Sequence, residues 1–257
     1  MKGNQGMTIE TVRSRVSPEE WAARLELAAA HRLMAHFGVS DLSYNHLSMR
    51  VPGEPHRFLV KPSNWMFEEV TASSLKKFDF DGTPHQDGPR CGGGQLVIHA
   101  GILNARPDLN VVLHTHTTAN TGVSAQRHGL LTLSQHAMAF HNRLAYHEFG
   151  GFEFNMDQRA PLLRDLGRHR YALLRNHGAL ICGENVPQAF VDHHYFEMAC
   201  RAQIAALAGG TEVTLIPDEV CERAALQYQT IDPKRAGGKD WPACLRLLDR
   251  LYPDYKS

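Results

Sequence analysis

The chain has 257 residues, room for one large domain or two small ones. Its 27 basic and 27 acidic residues leave a formal charge of zero, and no Lys/Arg block stands out. Nucleic-acid binding therefore has no electrostatic footprint. No apolar run approaches the ~18 residues of a membrane span, so no membrane partner is expected either.

Met1 to Val16 is polar, lacks the apolar core of a signal peptide and reads as a flexible N-terminal tail. Ser17-Pro18-Glu19-Glu20 then opens a helix with a cap, a first-turn proline and a capping-box acid. Trp21, Leu25, Ala28 and Leu33 give that helix an apolar face, and Gly38 ends it. Leu47, Met49 and Val51 alternate with His46, Ser48 and Arg50, the period of a half-buried strand. Phe58-Leu59-Val60, closed by Lys61-Pro62-Ser63, is a second strand, and Phe78 to Gly82 a strand entering a turn. Glu69 is expected to anchor the Thr71–Leu75 segment that follows it.

The loop Cys91-Gly92-Gly93-Gly94 feeds a helix from about Gln95 to Ala105. Val111 to His116 is a strand, and Thr117 to about Arg127 a helix. Tyr171–Leu174 and Ala179–Cys182 read as strands on either side of Asn176-His177-Gly178. The longest helix runs from Val186 to Ala208; a further helix lies within Asp218–Gln229, and a short one starts near Trp241. Helices and strands are interspersed without a linker, so residues 17–257 read as one α/β domain with a covered central sheet.

The five cysteines are odd in number and contain no C-x-x-C pair. Five thiols in a reducing cytoplasm is the expectation, without disulfides or a thiolate metal site. Histidine is over-represented, with 16 residues. Of these, His114 and His116 end an apolar strand. Residues i and i+2 of a strand share a face, about 7 Å apart, so both imidazoles can reach one ion. His177, at a second junction from apolar to polar sequence, supplies a third imidazole. Three neutral ligands leave positions open, which is the character of a catalytic site. His99 is expected to be a packed, hydrogen-bonded histidine, and His193-His194 a solvated or interfacial pair. Arg50 and Lys61 offer contacts for an anion.

Lys61-Pro62-Ser63, His114-Thr115-His116 and Asn176-His177-Gly178 occur in the order and at the intervals of the class II aldolase/adducin family, which the chain resembles up to Gly210. Tyr44-Asn45-His46, Ala105-Arg106-Pro107-Asp108 and Ala145-Tyr146-His147-Glu148 are similar to its adducin-head branch. The resemblance implies a three-layer α/β/α sandwich around a mixed, largely antiparallel sheet. It implies one divalent metal, Zn, Fe or Mn, on His114, His116 and His177, and a homotetramer with sites at subunit interfaces. It makes His46, Arg50, Lys61 and Ser63 candidate substrate contacts.

Two departures from the aldolase pattern bear on the reaction. Gln95 stands where aldolases carry a catalytic glutamate, and Gly93 and Gly94 replace the serines that hold a substrate phosphate. A glutamine hydrogen-bonds but cannot exchange a proton near neutrality. The expected function is therefore metal-dependent carbon–carbon cleavage, by decarboxylation or an aldol-type route, of a small non-phosphorylated hydroxy or oxo carboxylic acid. One alternative is an Fe(II), O2-dependent oxidative decarboxylase or oxygenase of an aryl 2-oxo or 2-hydroxy acid. The other is a non-enzymatic, adducin-like interaction module.

Overall fold

A computed structural model describes residues 12–152 and 155–257, apart from the side chains of 231–237. Of the expected N-terminal tail, residues 1–11 lie outside the described residues. Within the remainder, the Arg13 guanidinium sits 5.7 Å over the Trp21 ring.

Helix α1 (Pro18–His36) starts as its sequence predicts: the Ser17 side chain accepts the Glu20 N–H, and Pro18 occupies the first turn. The Glu20 carboxylate, expected to complete a capping box, instead pairs with Arg24 and Lys77. Strands β1 (His46–Val51), β2 (Glu54–Val60) and β3 (Lys76–Asp79) form an antiparallel meander. A π-helical turn, Gln95–Ala100, continues as α2 (Gly101–Ala105) and leads into β4 (Val111–Thr115). Helix α3 (Thr118–Ala125) follows, then β5 (Leu144–His147), α4 (Arg159–Leu166), β6 (Tyr171–Leu174) and β7 (Gly178–Gly183). Helices α5 (Val186–Leu207), α6 (Asp218–Arg235) and α7 (Trp241–Leu251) close the chain.

The seven strands make one sheet in the order β3-β2-β1-β4-β7-β6-β5. Only β5 and β6 run parallel, so the sheet is mixed and largely antiparallel. Strand alternation divides its side chains between two cores. Leu47, Val111, Leu113, Leu173 and Ile181 pack on α1 and α5 through residues such as Leu27, Leu33 and Phe196. Phe58, Val60, Val112, Leu174 and Leu180 pack on the opposite face against Ile98, Ile102, Leu162 and Leu166. These are the three layers of an α/β/α sandwich, and each fully buried aliphatic side chain in them stabilises the fold by ~1.5–3 kcal/mol.

Two elements escape the sequence reading. β5 is a four-residue edge strand of mixed polarity, and α4 is short, with Pro161 inside its first turn. Neither has the length over which a period becomes visible.

Candidate metal centre

The site forms where β4 ends beside the start of β7. His114 is the fourth residue of β4, and His116 follows the strand directly. Thr117 then turns the chain into α3, its side chain accepting the Asn120 N–H while Asn120 Oδ1 accepts the Thr117 N–H. Between the two histidines, Thr115 points to the other face. Its Oγ1 accepts from Asn120 Nδ2 at 3.1 Å and lies 2.7 Å from His193 Nε2. His193 is thus buried beneath the strand end, and the expected solvated or interfacial pair is wrong for it. A polar residue can stand on the buried face of α5 because a strand-end hydroxyl meets it there.

His177 sits in the tight connection between β6 and β7. Asn176 has φ +57°, a left-handed conformation that asparagine tolerates, and the His177 N–H closes the turn on Leu174 O at 3.0 Å. Thr121 of α3 donates to the His177 carbonyl at 3.0 Å. The next residue must be glycine, because a Cβ on Gly178 would lie 2.4 Å from the Thr115 carbonyl oxygen. That contact brings His177 to the His-x-His strand end.

His116 Nε2 lies 3.0 Å from His114 Nε2 and 3.0 Å from His177 Nε2, with the three donor atoms within 4.8 Å of one another. The outer faces of two rings fix their tautomers. His114 Nδ1 meets the Ala179 carbonyl at 3.1 Å, and His116 Nδ1 meets Asp41 Oδ2 at 2.9 Å. Both oxygens only accept, so each Nδ1 carries the proton, and the neutral form of each ring turns its Nε2 lone pair inward. Burial, reinforced by His116 and His177, pushes the His114 pKa well below the usual imidazole value and keeps that ring neutral. Lone pairs 3.0 Å apart repel. One proton could relieve a single pair, whereas a divalent cation bonded at about 2.0–2.1 Å meets all three nitrogens together. The residues therefore fit a metal.

The other candidates fall into two groups. His46 faces His114 in the β1–β4 register, and its ring stands 5.8 Å from that of His99. His46 Nδ1 is buried without a hydrogen-bond partner. His99 is wholly buried and lies 2.7 Å from Ser48 Oγ through Nδ1, a packed histidine as expected. Gln95 begins the π-helical turn that carries His99. Its Nε2 donates to the Lys61 carbonyl at 3.2 Å, and Cys91 Sγ stands 3.6 Å from its Oε1. Gln95 and Ser63 line a cavity of about 530 Å³, to which the three histidines do not contribute.

Arg50 and Lys61 are both surrounded by protein oxygens. Arg50 lies toward the far end of β1, about 13 Å along the strand from His46. Its guanidinium donates to Asn110 Oδ1 and to the carbonyls of Pro55, Leu103, Arg106 and Leu109. Lys61 is 1% exposed, and its ammonium donates to the carbonyls of Ser43, Pro62 and Trp65. Both cations are occupied by protein oxygens, and Lys61 also lines the cavity that Ser63 and Gln95 line. Glu69 is corrected as well: it accepts the N–H of Met66, ahead of it, rather than anchoring the segment behind.

Three neighbours of the site are not among the candidate site residues. Asp41 reaches His116 from 75 positions away, and Asn45 Oδ1 accepts the His116 N–H at 2.9 Å. The half-exposed Phe149 stands with its ring centroid 6.1 Å from that of His177.

The family model for the class II aldolase and adducin N-terminal domain matches residues 25–204. The chain belongs to the class II aldolase and adducin family. Among its relatives, a Caulobacter vibrioides protein named as a candidate class 2 aldolase is 36% identical over 250 residues, covering 95% of this chain and 96% of its own. Alpha-adducin of Rattus norvegicus is 35% identical over 89% of this chain, which spans 33% of that longer protein. The crystal structure of an aldolase II superfamily protein from Pseudomonas syringae superposes with a TM-score of 0.90 at 42% identity, covering 96% of this chain and 99% of that one. An L-fuculose 1-phosphate aldolase from Glaciozyma antarctica shares the fold, with a TM-score of 0.80 at 22% identity, 100% of this chain and 97% of that one. No described helix of this class II aldolase-type chain is long and apolar enough to cross a membrane.

Proposed function

We propose that the protein is a divalent-metal-dependent carbon–carbon lyase acting on a small, non-phosphorylated hydroxy or oxo acid. The observation that carries this reading is the convergence of three histidine Nε2 atoms with two tautomers locked from behind. His114, His116 and His177 would hold the ion, with Zn, Fe and Mn all suited to imidazole donors. Such an ion supplies Lewis-acid stabilisation of negative charge developing on a substrate oxygen.

The chain's own residues limit the chemistry. The neutral amide of Gln95 cannot collect a proton α to a carbonyl, which favours decarboxylation over an aldolase-type proton abstraction. Gly93 has φ +55°, a conformation that strains a serine, so the phosphate-holding serine of aldolases is disfavoured there. His46, with its buried unpartnered Nδ1, Ser63 and Gln95 are the proposed polar contacts for substrate.

We infer a homotetramer as the working assembly. Leu42 and Tyr44 are 66% and 64% exposed on the loop that carries Asp41, and Phe152 is 71% exposed beside Phe149. Large apolar side chains left in water around a site suit burial against a second copy. Five unpaired cysteines fit the cytoplasm.

Among the described residues the histidine cluster holds no carboxylate, which favours one second reading, a three-histidine Fe(II) oxygenase of an aryl 2-oxo or 2-hydroxy acid. The test is turnover of a panel of aryl and aliphatic 2-oxo and 2-hydroxy acids by Zn-, Mn- and Fe-loaded protein, with and without oxygen. Anaerobic release of CO2 or of a carbonyl fragment supports the lyase. Turnover confined to iron and oxygen supports the oxygenase. No turnover with any loaded form would leave the interaction module.

A further inference from the structure

Lys61 is among the largest fully buried side chains of the molecule, yet it ends in a cation. Among the described residues no carboxylate lies within ion-pair distance of it, and Glu69 acts on it only through its charge. Its ammonium donates to Ser43 O at 2.8 Å, Trp65 O at 2.7 Å and Pro62 O at 3.3 Å, one contact for each proton. Burial lowers its pKa to about 8, still high enough for the charged form to dominate at neutral pH. A buried charge is costly unless its hydrogen bonds serve the fold or the site.

Ser43 identifies what is served. It lies in the Asp41–Asn45 loop, both ends of which hold His116. Asp41 Oδ2 takes the ring Nδ1 at 2.9 Å, and Asn45 Oδ1 takes the backbone N–H at 2.9 Å. The Tyr44 N–H closes the loop on Asp41 O at 2.9 Å. Leu42, between them, has φ +48° and a side chain 66% exposed. A leucine in the left-handed region is strained, and within its own chain this one gains no burial in return. The loop's shape is therefore imposed by its anchors, and Lys61 is the anchor on the sheet side.

The geometry points to Lys61 as a positioning residue of the metal centre: its ammonium, through the Ser43 carbonyl, keeps Asp41 against His116 Nδ1 and so sets the tautomer and aim of that ligand. The inference rests on the three-histidine metal reading above. It gives the lysine of the Lys-Pro-Ser sequence a task that involves no substrate anion.

The test is a two-residue cycle read out with Zn2+ and Co2+ alone, without substrate. Zn2+ affinity is measured by chelator competition on wild type, Lys61→Met, Asp41→Ala and the double variant. The Co2+-loaded forms are compared by visible absorption. Lys61→Met and Asp41→Ala should each weaken Zn2+ binding by roughly 10–100-fold and change the Co2+ bands in the same direction. The double variant should bind about as weakly as the weaker single one, because the lysine acts through the aspartate. Lys61→Met with wild-type affinity and an unchanged Co2+ spectrum overturns the inference, as does full additivity. Should Lys61→Met fail to fold, Lys61→Gln is read by the same two criteria. Wild type that takes up neither ion would refute the metal reading itself, a result distinct from failure of the Lys61 cycle alone.

Discussion

Gly178 and Thr115 are in backbone contact: a methyl group on Gly178 would stand 2.4 Å from the Thr115 carbonyl oxygen and 3.0 Å from the His116 ring. This approach carries His177, one residue earlier, to the two histidines of the β4 end. Gly178→Ala should cost ~1–3 kcal/mol of folding stability through overpacking against backbone that cannot yield. It should also weaken metal binding by spreading the ligands. Thermal unfolding and Zn2+ titration of the variant check both effects, and wild-type values would show that the contact is not needed.

Arg50 is predicted to be structural. Arg50→Met removes the donor for five oxygen acceptors. A loss of ~2–4 kcal/mol is expected, less than the sum of the bonds because some of those oxygens can regain water. Metal stoichiometry should stay at the wild-type level. Denaturant unfolding alongside metal analysis checks this. A stable variant that has lost its metal would return Arg50 to the site.

Acid should unfold the metal-free protein. Burial holds His31, His99 and His193 at about 3, whereas the unfolded chain titrates near 6.5. Below about 6.5 the unfolded state binds more protons, so stability falls as pH drops from there toward 3. Each such histidine contributes up to ~1.4 kcal/mol per pH unit across that window. Circular dichroism should show a cooperative transition above pH 4 with uptake of more than one proton per chain. A chain fully folded at pH 3.5 would contradict the buried neutral histidines.

Gln95→Glu should be penalised where it stands. The amide N–H that meets the Lys61 carbonyl would be replaced by an oxygen facing an oxygen. A buried carboxylate there should have a raised pKa, so its cost appears as pH rises through the carboxylate range. The stability gap to wild type should grow between pH 5 and pH 8, reaching ~1–3 kcal/mol. A gap that does not change with pH would mean that the side chain has left its pocket.

The fold was legible in the sequence wherever an element was long or regular. Ser17 and Pro18 start α1, Leu47/Met49/Val51 alternate along β1, and Val186–Leu207 forms α5. The histidine triad was legible because strand spacing places His114 and His116 on one face and His177 stands at a second junction from apolar to polar sequence, in a motif that matches the family's order and intervals. The surroundings were less so. For Lys61 and Arg50 the sequence names a cation but not the carbonyls that surround it. His193 looks exposed beside His194 until Thr115 is seen beneath it. Asp41 has no local signal, since its task depends on a loop folded across the sheet.

The central claim is that His114, His116 and His177 hold one divalent ion. It is tested most directly by elemental analysis of wild type and His116→Ala after loading with Zn2+ and removal of excess metal, with circular dichroism to confirm folding. The account predicts one ion per chain for wild type and substoichiometric metal in a folded His116→Ala. A folded variant retaining one ion per chain, or wild type retaining none, would contradict it.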